Sequence, residues 1–121
     1  MDGGRPTILV VEDEALILFS IAEELRDAGF SVLEAHNAAE ALRLLEANDS
    51  IRLIFTDIDM PGSMDGLRLS AMVRERWPPV GIIVTSGKRL PFAAALPKGS
   101  EFVPKPYTPH GVVRAVRTML F

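Results

Sequence analysis

Apolar residues along this chain fall alternately into short unbroken runs and into runs with helical spacing. Thr7-Ile-Leu-Val-Val11 is almost wholly apolar and ends at Glu12-Asp13-Glu14, the pattern of a strand buried on both faces. Ala15–Ala28 carries apolar residues at Leu16, Phe19, Ile21, Ala22 and Leu25. This predicts a helix with that stripe turned inward and a stop at Gly29. Phe30–Glu34 is a second, less hydrophobic strand, expected near a sheet edge. Asn37, with Glu40 three residues later, predicts a capped helix running to Ala47. Ile51–Thr56 is a third buried run, again ending at acids, Asp57 and Asp59.

Gly66–Trp77 reads as a helix with Leu67, Leu69, Met72 and Val73 inward, ended by Pro78-Pro79. Val80–Val84 is the fourth strand, followed by Thr85-Ser86-Gly87. Beyond it Pro91 and Pro97 leave room for little more than one helical turn around Phe92–Leu96, so a short or irregular fourth helix is expected. Phe102-Val103 is a brief fifth strand, and Thr108-Pro109 opens a last helix to about Met119. Five strands alternating with helical segments predict an α/β fold, a doubly wound parallel sheet with helices on both faces. In such sheets ligands bind at the carboxyl ends of the strands.

Composition narrows the function. The chain has 121 residues, no cysteine and two histidines, which excludes disulfide frameworks and Cys-based metal centres. A net charge of −3 makes direct nucleic-acid binding a poor expectation. No apolar run approaches the roughly 20 residues of a membrane span. A cytoplasmic domain without membrane contact is expected.

The strand ends collect an unusual set of side chains: Glu12 and Asp13 after the first, Asp57 after the third, Thr85 after the fourth and Lys105 after the fifth. Carboxylates converging on one rim repel one another unless a cation joins them. Oxygen ligands without His or Cys favour Mg²⁺, which leaves a position for a phosphate oxygen. A carboxylate can also be the nucleophile towards a phosphoryl group, with a Lys ammonium and a hydroxyl orienting its oxygens. Singly, each residue reads as a cap, turn or surface group; together, at four strand ends, they read as a phosphoryl-transfer site.

These residues resemble a known family. Val-Val-Glu12-Asp13-Glu14, Thr56-Asp57-Ile-Asp59-Met60-Pro61 with Met64-Asp65-Gly66, Ile-Val-Thr85-Ser86-Gly87 and Phe102-Val-Pro-Lys105-Pro106 together look like the response-regulator receiver domain of two-component signalling, similar to the chemotaxis response regulator. The likeness runs from about Thr7 to Leu120. It implies strand order 2-1-3-4-5 and one receiver domain over 1–121 (core about 7–120) with no output domain. It implies that Asp57 takes phosphate from a histidine kinase or phosphotransfer protein. Mg²⁺ would be held by Asp13, Asp57 and the backbone carbonyl of Asp59, with Glu12 acting through a water. Thr85 and Lys105 would meet the phosphoryl oxygens, and a Thr85/Phe102 switch would alter the output face for a protein target. The Lys105–Pro106 bond is expected to be cis. The module would not be an enzyme beyond its own phosphorylation and dephosphorylation, and a homodimer is possible.

Three departures from the family pattern stand out. The Pro61–Gly66 loop is one residue longer than the commonest form, Asp59 is itself acidic, and the 88–99 segment is broken by proline. The added charge at Asp59 is expected to alter metal affinity or phosphate lifetime. Two alternatives compete: a haloacid dehalogenase-like aspartyl-phosphate phosphatase, for which Asp57-Ile58-Asp59 is the superficial match, and a receiver fragment of a longer regulator.

Overall fold

The computed structural model describes residues 5–60, 64–87 and 96–121. The elements are β1 (Thr7–Val11), α1 (Ala15–Asp27), β2 (Ser31–Ala35), α2 (Ala38–Ala47), β3 (Ile51–Asp57), α3 (Gly66–Arg76), β4 (Gly81–Ser86), β5 (Glu101–Pro104) and α4 (Pro109–Leu120). All five strands pair in parallel in the order β2-β1-β3-β4-β5. The expected sheet and its order are therefore observed, with β2 at an edge. The expected short or irregular fourth helix and the lengthened loop fall largely on 88–95 and 61–63, outside the described residues.

Strand alternation divides the core in two. Leu9, Val11, Ile54, Ile82 and Val84 face α2 and α3, which close over them with Ala41, Leu45, Leu69 and Val73. Ile8, Val10, Leu53, Phe55 and Ile83 face α1 and α4, meeting Leu18, Leu25, Val112 and Val116. A sheet covered on both sides needs apolar residues at consecutive positions, as at Ile8–Val11, Leu53–Phe55 and Ile82–Val84. Edge strand β2 is covered less completely: Val32 and Ala35 are buried, Ser31 and Leu33 partly so, and Glu34 is exposed.

Local chemistry sets the element ends. Gly29 takes φ +101, Gly29 N–H donates to Arg26 O at 3.0 Å, and Phe30 N–H donates to Leu25 O at 3.1 Å. That paired arrangement ends α1 and seats Phe30 in the core ahead of β2, so β2 starts one residue later than its hydrophobicity suggests. Asn37 caps α2 by accepting from Glu40 N–H at 2.9 Å, while Glu40 accepts from His36 N–H at 2.8 Å, one residue before the cap. Thr108 caps α4 by accepting from Gly111 N–H at 2.9 Å, with Pro109 at the first helical position.

One expectation fails on α1. Leu16 and Phe19 are 85% and 61% exposed, and the buried face is Leu18, Ile21, Ala22 and Leu25. These four follow the i, i+3, i+4, i+7 spacing, and at ~100° per residue Leu16 lies across the helix from them. The helix is apolar around more of its circumference than its packing uses.

Candidate functional site

The strand ends reach further than the hydrophobic runs. β3 pairs through Asp57 and β4 through Ser86, because Asp57 lies opposite Thr85 and Ser86 opposite Pro104 in the parallel ladders. Asp57 and Thr85 therefore sit on the sheet itself rather than in the loops beyond it, and the ladder hydrogen bonds hold their backbones.

Around Asp57 the rim assembles from four elements. Glu12 and Asp57 are each 2% exposed, Asp13 is exposed, and one carboxylate oxygen from each of the three lies within 4.8 Å of the others. Lys105 Nζ donates to Asp57 Oδ2 at 2.7 Å, and Asp59 N–H donates to Asp57 Oδ1 at 2.9 Å. The cis Lys105–Pro106 bond follows directly. Thr85 is 0% exposed, and its hydroxyl has no hydrogen-bond partner among the described residues.

The electrostatics follow from this crowding. Burial pushes the Glu12 carboxyl up to about 7, with the Asp57 charge and a hydrogen bond to Asp13 adding to it; Glu14 N–H and Lys105 act in the opposite sense. Burial works against the Lys105 ammonium, but the hydrogen bond to Asp57 and the charges of Asp57, Glu12 and Asp59 outweigh it and raise its pKa. Three carboxylates sharing one rim with one ammonium are short of positive charge. An oxygen-only donor set with that deficit fits a hard divalent cation such as Mg²⁺.

Phe102 is half-buried on β5 opposite Val84, one position before Thr85, and packs on the α2–α3 side of the core. Two further contributors stand in the sequence only as members of the quoted motifs, with no role assigned to them. Gly66 N–H donates to Ile58 O at 3.1 Å, and a Cβ on Gly66 would collide with the Asp57 carbonyl. The first turn of α3 thus lies directly against the backbone of the central carboxylate, and only a glycine fits. Ser86 is 1% exposed and donates through Oγ to Asp59 Oδ2 at 2.7 Å. Its only signal in the sequence is a second hydroxyl residue, after Thr85, at the end of the fourth apolar run.

The sequence model for the response regulator receiver domain matches residues 8–117. The chain belongs to the response-regulator receiver family. The receiver is 32% identical to the sensor kinase CckA of Brucella abortus over 97% of this chain and 13% of that one. Among solved structures it is similar to a response regulator receiver protein of Sinorhizobium medicae, with a TM-score of 0.88 and 32% identity over 96% of this chain and 94% of the other. It is also similar to the response regulator TrrA of Thermotoga maritima in complex with Mg²⁺ and BeF, with a TM-score of 0.80 and 28% identity over 94% and 98% of the two chains. The receiver spans 13% to 48% of the length of the first curated relatives it matches. Two-component signalling is thus the setting of this domain, and the phosphatase alternative is set aside. No helix among the described residues is long and apolar enough to cross a membrane.

Proposed function

We propose that this receiver accepts a phosphoryl group on Asp57 from a phosphohistidine of a histidine kinase or phosphotransfer protein, in the cytoplasm, and passes the change to a protein target. The observation that carries this is the buried Asp57 carboxylate, held by Lys105 Nζ at 2.7 Å and flanked by Glu12 and Asp13 oxygens within 4.8 Å.

In the transfer, an Asp57 carboxylate oxygen forms a bond to phosphorus as the donor's N–P bond breaks, and the imidazole nitrogen leaves with the electron pair. The β3 ladder and the Gly66 contact hold the nucleophile in place, and burial excludes competing water. The Lys105 ammonium, already against Oδ2, is positioned to follow charge onto a phosphoryl oxygen. Thr85, with its hydroxyl buried and without a partner among the described residues, supplies a donor for another. Its movement towards the phosphate, with Phe102 turning inward beside it, is the switch. Asp13, Asp57 and the Asp59 carbonyl, with Glu12 behind them, would hold Mg²⁺, which when bound supplies the positive charge that brings phosphoryl oxygens beside these acids.

The donor's docking surface is contiguous with the site. A groove of about 550 Å³ between α1 and the start of α4 is lined by Leu16, Ile17, Ser20, Pro106, Tyr107 and Lys105, the last of these bonded to Asp57. Its apolar rim beside the nucleophile suits a protein donor that must bring a phosphohistidine to Asp57.

The test is intact mass after incubation with Mg²⁺ and acetyl phosphate, for wild type and Asp57→Ala. One phosphate adduct that requires Mg²⁺ and is lost in the variant is expected; an adduct that persists in Asp57→Ala rejects the assignment.

A further inference from the structure

The end of β4 is gripped from both sides. Thr85 O accepts from Ile58 N–H at 2.8 Å, and Ser86 O accepts from Lys105 N–H at 3.0 Å. The Ser86 side chain is held as well: Oγ donates to Asp59 Oδ2 at 2.7 Å, and Gly87 N–H reaches the same oxygen at 3.4 Å. Asp59 meanwhile donates its own N–H to Asp57 Oδ1 at 2.9 Å. One residue thus touches the phosphoryl acceptor through its backbone and, through its side chain, the residue immediately after Thr85.

Charge alone does not account for this geometry. A carboxylate present only to add negative potential needs no buried hydroxyl aimed at one of its oxygens, yet Ser86 is 1% exposed and spends its side-chain donor there. Thr85 is itself held through its carbonyl, while its hydroxyl has no partner among the described residues. That hydroxyl meets a phosphoryl oxygen on Asp57 through movement of Thr85, which the Asp59–Ser86 bond on the next residue restrains.

We infer that Asp59 and Ser86 form a brace that holds Thr85 back from Asp57, making Asp59 a positioning residue that sets how long the phosphate persists. The inference rests on the proposed phosphorylation of Asp57. Opening the brace lets Thr85 engage the phosphoryl group more fully and lengthens the lifetime of the aspartyl phosphate. Loss occurs by attack of water on phosphorus, with the Asp57 O–P bond breaking to regenerate the carboxylate and release inorganic phosphate.

The test measures phosphate half-life by intact mass at saturating Mg²⁺ after acetyl phosphate treatment, for Ser86→Ala, Asp59→Ala, their double variant and Asp59→Asn. The ordinary net contribution of one hydrogen bond predicts a lifetime longer by about 3- to 10-fold in each alanine variant. The double variant should show no further gain from the brace, because each single change already removes the Ser86 Oγ–Asp59 Oδ2 bond. Asp59→Asn keeps an acceptor for Ser86 Oγ without the charge and should recover most of the difference. Equal effects of Asp59→Asn and Asp59→Ala with an unchanged Ser86→Ala would make the effect one of charge and overturn the brace, as would additive or shortened lifetimes. Hydrogen exchange of the Ile58 and Lys105 amides, in protein without Mg²⁺ or phosphate, reads the brace independently. Faster exchange in the two alanine variants than in Asp59→Asn supports it, and equal exchange in all three overturns it. Wild type that takes no phosphate fails the receiver assignment of Asp57 while leaving this exchange measurement able to decide the brace.

Discussion

Lys105 lies 48 residues beyond Asp57 in the chain, yet its Nζ rests 2.7 Å from Asp57 Oδ2. Strand order brings them together: β3 and β5 flank β4, so both residues emerge at the same end of the sheet. The ammonium offsets part of the repulsion among Glu12, Asp13 and Asp57. Replacing Lys105 with Met leaves the buried Asp57 oxygen without that donor, so stability without Mg²⁺ should fall by about 1–3 kcal/mol in urea melts. Phosphorylation by acetyl phosphate should slow by about 10²-fold. An unchanged rate would remove Lys105 from the transfer.

Gly66→Ala is expected to be among the most damaging single-methyl changes in the chain. Its Cβ would meet the Asp57 carbonyl and, at 2.8 Å, the Ile58 Cα, both backbone atoms that cannot swing aside. The start of α3 must move off the end of β3, destabilising the protein by about 3 kcal/mol by chemical denaturation and slowing phosphorylation. Wild-type stability in this variant would show that α3 has freedom the structure does not display.

Glu12 should give the metal-free protein a pH-dependent stability. The folded state holds its proton up to about pH 7, against an ordinary value of 4.5. Between those values the folded state binds more protons than the unfolded one, so this contribution to stability falls as pH rises. Melts of wild type and Glu12→Gln across that window should diverge, with the variant the less sensitive. Parallel curves would show that Glu12 titrates normally.

The exposed apolar face of α1 is expected to serve the protein donor. Phe19→Glu places a charge on a helix where Leu16 and Phe19 are exposed. The ratio of the phosphotransfer rate from a phosphohistidine protein to that from acetyl phosphate should fall about 10-fold, equivalent to about 1.4 kcal/mol of lost docking. An unchanged ratio would direct the donor to another surface.

Most of the architecture could be read from residue order alone. The apolar runs at Ile8–Val11 and Leu53–Phe55 imply strands covered on both faces, and the more polar second strand implies an edge, because burial on two sides leaves little room for polar residues. The acids at the ends of these runs, Thr85 and Lys105 point to one rim because parallel strands all end on the same side. Helical periodicity was less decisive on α1: apolar residues surround much of that helix, so the pattern could not tell a packed face from one left open.

What this sequence determines by itself is local and compositional: strands, caps, the stop at Gly29 and the identity of the side chains at the strand ends. Tertiary structure alone decides distances between residues far apart in the chain. It puts Lys105 on Asp57, leaves no room for a side chain at Gly66, raises Glu12 by burial and turns Ser86 onto Asp59. Each of these depends on which surfaces the packed sheet and helices leave in contact, and no short window of sequence carries that information.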